Sequence, residues 1–158
     1  MTPSPNGANS ARRIYLAGPM QSIPEFNFPR FNAIAAILRT SGNTVFNPAE
    51  KDIERLGHDL SKGNDTGSLD VANTQGFSLR QALAEDTNFI CLEANVIMML
   101  PGWETSKGAR AEHALATALL TEGMEIVYLP EAMCRGMERA HAVLSAAAAE
   151  AEGQSLET

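Results

Sequence analysis

Residues 94–120 read ANVIMMLPGWETSKGARAEHALATALL and carry the pattern that decides the fold. The near-continuous apolar run Ala94–Leu100, followed by Pro101, is typical of a central parallel strand that is covered on both sides. Lys107–Leu120 then follows as a helix, which Gly123 ends. Its predicted inner face consists of four apolar residues at helical spacing: Ala111, Leu115, Ala118 and Leu119. A buried strand that leads into such a helix predicts an α/β fold.

Strands and helices alternate along the rest of the chain. Apolar runs predict strands at Arg13–Ala17, Thr44–Asn47 and Glu125–Leu129. Three patterns predict helices: the stripe Phe31, Ile34, Ala35 and Leu38; the capping-box pair Ser78 and Gln81; and the alanine-rich run from Glu131 to about Glu150. We expect one doubly wound, Rossmann-like or flavodoxin-like α/β domain over residues 13–150, with a parallel sheet and helices on both faces. Residues 1–12 are predicted to be a disordered tail and residues 151–158 a frayed C-terminus.

The segment 54–77 differs in character from its surroundings. It is rich in Gly, Asn, Asp, Ser and Thr and shows no sustained period. A loop of this length inside a compact domain is uncommon and is usually functional or disordered. We expect a loop or lid here, and the sequence leaves both alternatives open.

Composition narrows the choice of partners. The 158 residues contain 12 Lys and Arg against 19 Asp and Glu, a formal net charge of −7, so nucleic acid polymers and anionic membranes are poor partners. No apolar run is long enough to span a membrane, and the first residues contain no apolar leader core, which predicts a cytoplasmic protein. The histidines and cysteines lack metal-ligand spacing, and dinucleotide and P-loop motifs are absent from the sequence. We therefore expect neither a metal nor an organic cofactor.

Open α/β sheets bind ligands beyond the carboxyl ends of their strands. Pro101–Glu112 follows a predicted strand and places small and hydroxyl residues at a helix start, where free N–H groups and the helix dipole favour an anion. Ser106 and Gly108 are therefore predicted to take part in a phosphate cradle. Glu112 lies about one turn into the helix, and the positive end should help to keep it ionised and nucleophilic. The alternative is that Glu112 is an ordinary acid that stabilises the first turns of a helix.

Asp86 is a charged residue on an otherwise apolar face of a predicted helix. The other residues of this face are Leu79, Leu83 and Ile90. Such a charge costs several kcal/mol unless it is paired or faces a cleft. Asp86 therefore either faces a cleft or lies slightly off this apolar face, in solvent. If Asp86 and Glu112 face one cleft, they form a two-carboxylate site, the arrangement used to cleave glycosidic bonds.

The aromatic residues near the strand ends each permit two interpretations. Tyr15, on the first strand, is either a core residue or a catalytic hydroxyl. Trp103 could stack on a nucleobase or anchor its loop. Phe26, Phe28 and Phe31 could close over a base or act as a hydrophobic staple for the helix that follows.

Three blocks of sequence occur in a familiar order: YLAGPM at Tyr15–Met20, then Asp86, then the pattern S-x-G-x-x-x-E from Ser106 to Glu112. Together they resemble the nucleoside 2-deoxyribosyltransferase superfamily, which includes the 2′-deoxynucleoside 5′-phosphate N-hydrolases. A longer set, YLAGPM, EFNFPRFN, FNPAE and LPGWETSKGARAEHALA, is similar to a little-characterised bacterial and phage branch of that superfamily. The resemblance extends over Ile14–Leu129.

The resemblance implies a covalent, retaining N-glycosidase that needs no cofactor. It implies that Glu112 is the nucleophile that attacks the sugar C1′, that Asp86 is the acid that assists departure of the base, and that Tyr15 orients the glutamate. The implied substrate-binding residues lie at two strand ends: Gly18, Pro19, Met20, Trp103, Ser106 and Gly108. It also suggests a homodimer or larger homo-oligomer in which a neighbour completes the pocket.

Ser106 bears on the choice of substrate. The transferases of the superfamily commonly carry Asp six residues before the nucleophile, whereas the monophosphate hydrolases carry Ser. A carboxylate would repel a 5′-phosphate, whereas a hydroxyl beside backbone N–H groups accepts one. We therefore expect hydrolysis of a (deoxy)nucleoside 5′-monophosphate to free base and sugar 5-phosphate. Against this, the turn after the first strand lacks the basic residue that the hydrolases often carry, and Glu104 adds negative charge near the cradle.

Two other functions stay open at this point. One is a deoxyribosyltransferase that exchanges bases, and the other is a non-catalytic nucleotide-binding sensor or adaptor. The sequence identifies neither the base nor the sugar, ribose or deoxyribose.

Overall fold

A computed structural model describes residues 11–156 and shows a four-stranded, all-parallel sheet in the order β2-β1-β3-β4. The strands are β1 (Arg13–Ala17), β2 (Thr44–Phe46), β3 (Val96–Met99) and β4 (Glu125–Tyr128). The helices are α1 (Phe28–Thr40), α2 (Pro48–Leu56), α3 (Leu69–Thr74), α4 (Leu79–Leu92), α5 (Lys107–Ala118) and α6 (Glu131–Ser155). The predicted α/β fold with a helix-flanked parallel sheet is confirmed. Residues 1–10 of the expected N-terminal tail lie outside the described residues.

Strand β1 lies inside the sheet, and its side chains alternate between two cores. Ile14 and Leu16 pack into the core that includes residues of α1 and α6, whereas Tyr15 and Ala17 pack into the core that includes residues of α4 and α5. All four are at most 1% exposed. The two-residue period of the strand therefore directs Tyr15 toward α4 and α5.

The carboxyl ends of β1 and β3 form the point where the chain connections diverge, because β1 leads to β2 on one side and β3 leads to β4 on the other. Gly18 follows β1 at this point, and a Cβ at this position would lie 2.8 Å from the Cβ of Leu100. A side chain at position 18 would push the two strand ends apart. Open α/β sheets bind their ligands at such switch points.

Helix α2 was not predicted from the sequence. Strand β2 ends one residue before its predicted end because Asn47 caps α2, its side chain accepting a hydrogen bond from the Ala49 N–H at 3.1 Å. Pro48 occupies the first helical position, where its fixed φ and its missing N–H are tolerated. The Asn-Pro pair thus begins a helix in addition to closing a strand.

The segment 54–77, expected to be a loop or lid without regular structure, is partly helical. It contains the end of α2 and all of α3. Backbone hydrogen bonds tie it to the connection between β1 and α1: Ser22 N–H donates to Gly67 O and Glu25 N–H to Asn64 O, both at 2.9 Å. Its Gly- and Asn-rich composition supplies turns between short elements rather than one long loop.

The buried face of α5 differs from the predicted one. It consists of Ala109, Glu112 and Ala116, whereas Ala111 and Ala118, expected on the inner face, are exposed. The small side chains at i and i+7 let α5 pack closely on the sheet, with the glutamate between them. Leu115 and Leu119, also expected on the inner face, are partly buried and pack against the core, so the predicted face was right for the two leucines and wrong for the two alanines.

Helix α6 is longer than predicted. It runs to Ser155, past the expected end near Glu150 and into the segment that was expected to fray. Alanine and glutamate are strong helix formers, so the sequence gives this helix no reason to stop at residue 150. Neither α6 nor any other helix within residues 11–156 combines the length and hydropathy needed to cross a membrane.

Candidate active site

A cavity of about 470 Å³ opens at the carboxyl ends of β1 and β3. The connection between β1 and α1, helices α2 and α4, the start of α5 and the segment 54–77 form its walls. Eight of the nine residues proposed from the sequence line it: Tyr15, Gly18, Pro19, Met20, Asp86, Ser106, Gly108 and Glu112. Most of the remaining lining side chains are apolar. The fold thus brings together residues that are up to 97 positions apart in the chain.

Tyr15 and Glu112 form a buried hydrogen bond at the inner end of this cavity. The Tyr15 hydroxyl donates to Glu112 Oε1 at 2.9 Å. Tyr15 is 0% exposed and Glu112 is 6% exposed. Burial raises the pKa of the Tyr15 phenol well above its ordinary value, so the hydroxyl remains a donor to the carboxylate.

Glu112 is a poorly solvated carboxyl. Burial raises the pKa of Glu112 to about 7, although the hydrogen bond from Tyr15 acts in the opposite direction. The position of Glu112 near the start of α5 predicts the opposite shift, because the positive end of a helix favours the ionised form. Glu112 is the sixth residue of α5, beyond the first turn where the helix dipole acts strongly, so desolvation is the larger effect.

Asp86 lies on the buried face of α4 and is 6% exposed, so the interpretation of a solvent-facing position is wrong. Burial and the nearby charge of Glu112 raise the pKa of Asp86 to about 8, with a further contribution from Asp52. Hydrogen bonding with Tyr15 partly opposes these effects. Burial and the negative charge of Glu112 thus both favour the protonated form of Asp86, which suits Asp86 to act as an acid when Glu112 is ionised.

The start of α5 lines the other part of the cavity. Ser106 caps this helix, its Oγ accepting from the Ala109 N–H at 3.3 Å. A Cβ at Gly108 would meet nothing within 4 Å, so the backbone there is open to a ligand. Lys107 is the single cationic residue among those that line the cavity. Backbone dipoles and one exposed lysine are thus the positive groups available to an anion.

Trp103, the ninth proposed residue, is not among the residues that line the cavity. Its ring stacks on His113 at a centroid distance of 4.2 Å, and His113 Nε2 lies 2.7 Å from the Tyr128 hydroxyl. This cluster joins the start of α5 to β4. The structure thus supports the interpretation of Trp103 as a loop anchor.

The phenylalanine cluster is part of the core and also lines the cavity, while its closure over a base stays a prediction. Phe26, Phe28 and Phe31 are at most 4% exposed and belong to the core, yet all three also line the cavity. Phe26 sits in a turn with left-handed backbone, where Glu25, Phe26 and Asn27 have φ of 53°, 52° and 60°. Left-handed conformations are costly for residues other than glycine and persist where surrounding contacts hold them.

Asp52 was missed in the sequence analysis because helix α2 was missed. It is 6% exposed, lines the cavity and accepts a hydrogen bond from Arg55 Nη1 at 2.7 Å. Burial raises the pKa of Asp52, while Arg55 acts against this shift. The signal was present in Ala49, Asp52, Ile53 and Leu56, whose helical spacing follows the Asn-Pro start. Among the described residues, no group of three or more His, Cys, Asp or Glu is arranged to hold a metal ion.

Fold and site together define the class of protein: an α/β domain with a buried two-carboxylate cavity at the switch point of a parallel sheet. A family model described as a domain of unknown function (DUF4406) matches residues 12–128, and the chain belongs to this family. The matched residues include all four strands and α1 to α5, so the entire cavity lies within the family domain. The chain matches no curated protein and no solved structure.

Proposed function

We propose that the protein is an N-glycosidase that hydrolyses a (deoxy)nucleoside 5′-monophosphate to free base and sugar 5-phosphate. The observation that carries this proposal is the hydrogen bond from Tyr15 to Glu112 in a cavity that Asp86 also lines. Two buried carboxyls that line one cavity, one of them oriented by a phenol, fit a double displacement at a glycosidic carbon.

In the first step, a carboxylate oxygen of Glu112 attacks C1′ and the bond from C1′ to the base nitrogen breaks. The base nitrogen takes the proton of Asp86, so the base leaves neutral. The Tyr15 hydroxyl holds one Glu112 oxygen in place, which leaves the other oxygen to form the ester. In the second step, water attacks C1′, its proton passes to Asp86, and Glu112 leaves as a carboxylate. Each residue returns to its starting state.

The start of α5 supports the choice of a monophosphate. Ser106 and Gly108 place a hydroxyl and a backbone N–H of the first helical turn at the cavity wall, and Lys107 adds a positive charge. Phosphate groups commonly bind at such helix starts. Glu112 lies further along the same helix, so a sugar whose 5′-phosphate sits at the helix start would extend toward the nucleophile.

Base exchange is a second candidate, favoured by the mainly apolar wall of the cavity. Apolar surroundings limit the water available to the glycosyl ester, so that a second base could accept the sugar. Addition of a second free base then yields a new nucleotide in place of free sugar phosphate.

Chromatography of the released base tests the proposal. The common ribo- and deoxyribonucleosides and their monophosphates, including 5-modified pyrimidines, are each incubated with wild type and with the Glu112→Gln variant. Glu150→Gln, on the exposed end of α6, is the matched control. We expect release from a monophosphate by the wild type and the control, and a loss of at least about a thousandfold in Glu112→Gln. Equal release by a folded Glu112→Gln variant would refute the mechanism, and binding without release would favour the nucleotide sensor.

A further inference from the structure

The cavity contains a third carboxylate, Asp52, to which the proposed reaction assigns no role. Helix α4 packs against both α5 and α2, so Asp86 on α4 lies between Glu112 on α5 and Asp52 on α2. The charges of both neighbours act on the pKa of Asp86. In the proposed reaction the sugar phosphate lies at the start of α5, and the base takes the proton of Asp86. The base therefore lies on the Asp86 side of the reacting centre, which is also the side of Asp52.

The orientation of Asp52 is fixed by ion pairs. Its Oδ1 accepts from Arg55 Nη1 at 2.7 Å, and Arg55 is held in turn by Glu85 on α4, to which its Nε donates at 3.2 Å. None of the hydrogen bonds among residues 11–156 ends on Asp52 Oδ2. The residue is 6% exposed, and no fully buried side-chain oxygen among residues 11–156 lacks a hydrogen-bond partner, so Oδ2 is open to the cavity that Asp52 lines.

A carboxylate buried in a mainly apolar cavity loses hydration that a surface ion pair would keep. Arg55 and Asp52 are three residues apart on one helix and could pair equally well on its solvent side. Helix packing alone therefore gives no reason for a carboxylate at this lining position. A ligand with a hydrogen-bond donor would compensate the lost hydration, and apolar neighbours such as Leu60, Ala72 and Phe77 suit the faces of a flat ring.

We propose that Asp52 Oδ2 accepts a hydrogen bond from an N–H group on the edge of the base remote from the glycosidic nitrogen, and so takes part in recognition of the base. This inference rests on the proposed function for the placement of the sugar and base. The donor is an exocyclic amine in adenine, guanine and cytosine and a ring imide in thymine and uracil, so the contact distinguishes nucleotides with a free donor from analogues in which this donor is blocked. Methylation that removes this donor leaves Asp52 without a partner, which a buried polar group tolerates poorly.

Calorimetric titration of a non-hydrolysing background tests this inference without relying on turnover. The Glu112→Gln protein is titrated with the four common deoxynucleoside monophosphates. It is then titrated with a methylated counterpart of the one that binds most tightly, in which the exocyclic amine is N,N-dimethylated or the ring imide is N-methylated, so that no donor remains. We expect the methylated compound to bind about ten- to a hundredfold more weakly. In the Glu112→Gln, Asp52→Ala double variant we expect the ratio to approach one. Glu54→Ala, an exposed position on the same helix, is the control and should keep the full ratio.

The outcomes separate this inference from the proposed function. Three results would overturn the role of Asp52. The ratio of affinities for the unmethylated and methylated nucleotides could be unchanged by Asp52→Ala, the two affinities could already be equal in the Glu112→Gln background, or no nucleotide could bind. If Asp52→Ala does not fold, Asp52→Asn keeps the volume and one acceptor oxygen but adds a donor, and should reduce the ratio without abolishing binding. The protein could also discriminate against the methylated nucleotide through Asp52 and yet release no base. This result would refute the N-glycosidase but would support recognition of the base by Asp52.

Discussion

Replacement of Glu112 by Gln should change how the stability of the protein depends on pH. The folded state raises the pKa of Glu112 from 4.5 to about 7, so between these values the folded protein holds a proton that the unfolded chain has lost. The contribution of Glu112 to the free energy of unfolding is therefore fully present below about pH 4.5 and is lost as the pH rises through 7. The shift of roughly 2.5 pKa units corresponds to about 3.5 kcal/mol, since one unit is about 1.4 kcal/mol.

The glutamine of the Glu112→Gln variant keeps the size of the side chain and the acceptor for Tyr15 but does not ionise. If the amide leaves a hydrogen bond unmade, the resulting loss of stability is the same at every pH. The quantity to follow is therefore how the difference in unfolding free energy between variant and wild type changes with pH. We expect this difference in unfolding free energy to move in favour of Glu112→Gln by about 2.5 kcal/mol between pH 5 and pH 8.5. Removal of the Glu112 charge also relieves Asp86, which acts in the same direction.

Urea unfolding followed by circular dichroism at pH 5, 6, 7 and 8.5 measures this change. The control Glu150→Gln alters an exposed carboxyl at the end of α6 and should follow the wild type at every pH. A difference between Glu112→Gln and wild type that stays constant, or that moves against the variant as the pH rises, would refute the conclusion that Glu112 is buried with a raised pKa.

Three further predictions concern catalysis. A plot of kcat/KM against pH should rise as Glu112 ionises near pH 7 and fall as Asp86 loses its proton near pH 8, whereas a flat profile from pH 5 to 9 would contradict these roles. Tyr15→Phe removes the hydrogen bond that lowers the pKa of Glu112. The rising limb of the pH profile should therefore move about one pH unit higher. A rising limb that does not move would show that Tyr15 does not act on Glu112. Ser106→Asp keeps a good helix cap but adds a negative charge near the proposed phosphate. The preference for monophosphate over nucleoside should therefore fall about ten- to a hundredfold. The control Ser106→Asn, which also caps a helix but carries no charge, should change this preference much less. An unchanged ratio in Ser106→Asp would place the phosphate elsewhere.

The strands could be predicted from the sequence because local patterns determine them. The apolar runs around Tyr15 and Ile97 occupy inner strands of the sheet, where both faces are covered, so nearly every residue of these strands is apolar. Asp86 and Glu112 could be proposed because a carboxylate on an apolar stripe and a glutamate near a helix start are visible in the sequence. Their meeting in one cavity depends on the order of strands, which the α/β pattern limits to few arrangements.

The remaining features depend on tertiary packing. Helix α2 has a polar sequence, and the burial of Asp52 follows from packing between α2 and α4 rather than from apolar neighbours in the chain. Trp103 could not be assigned because stacking on a ligand and stacking on His113 require the same kind of residue. The pKa of Glu112 depends on how deeply α5 is buried, and the proximity of a helix start suggested the opposite direction.

The covalent ester on Glu112 is the central claim, and peptide mass spectrometry of a trapped reaction tests it most directly. The substrate is a 2′-deoxy-2′-fluoroarabinonucleoside 5′-monophosphate that carries whichever base the wild type releases, because fluorine at C2′ destabilises the oxocarbenium-like transition state of the hydrolysis step. We predict one equivalent of released base and a fluorosugar phosphate attached to the peptide that contains Glu112. Release of base with the adduct on another residue, or undiminished release by a folded Glu112→Ala variant, would contradict the account.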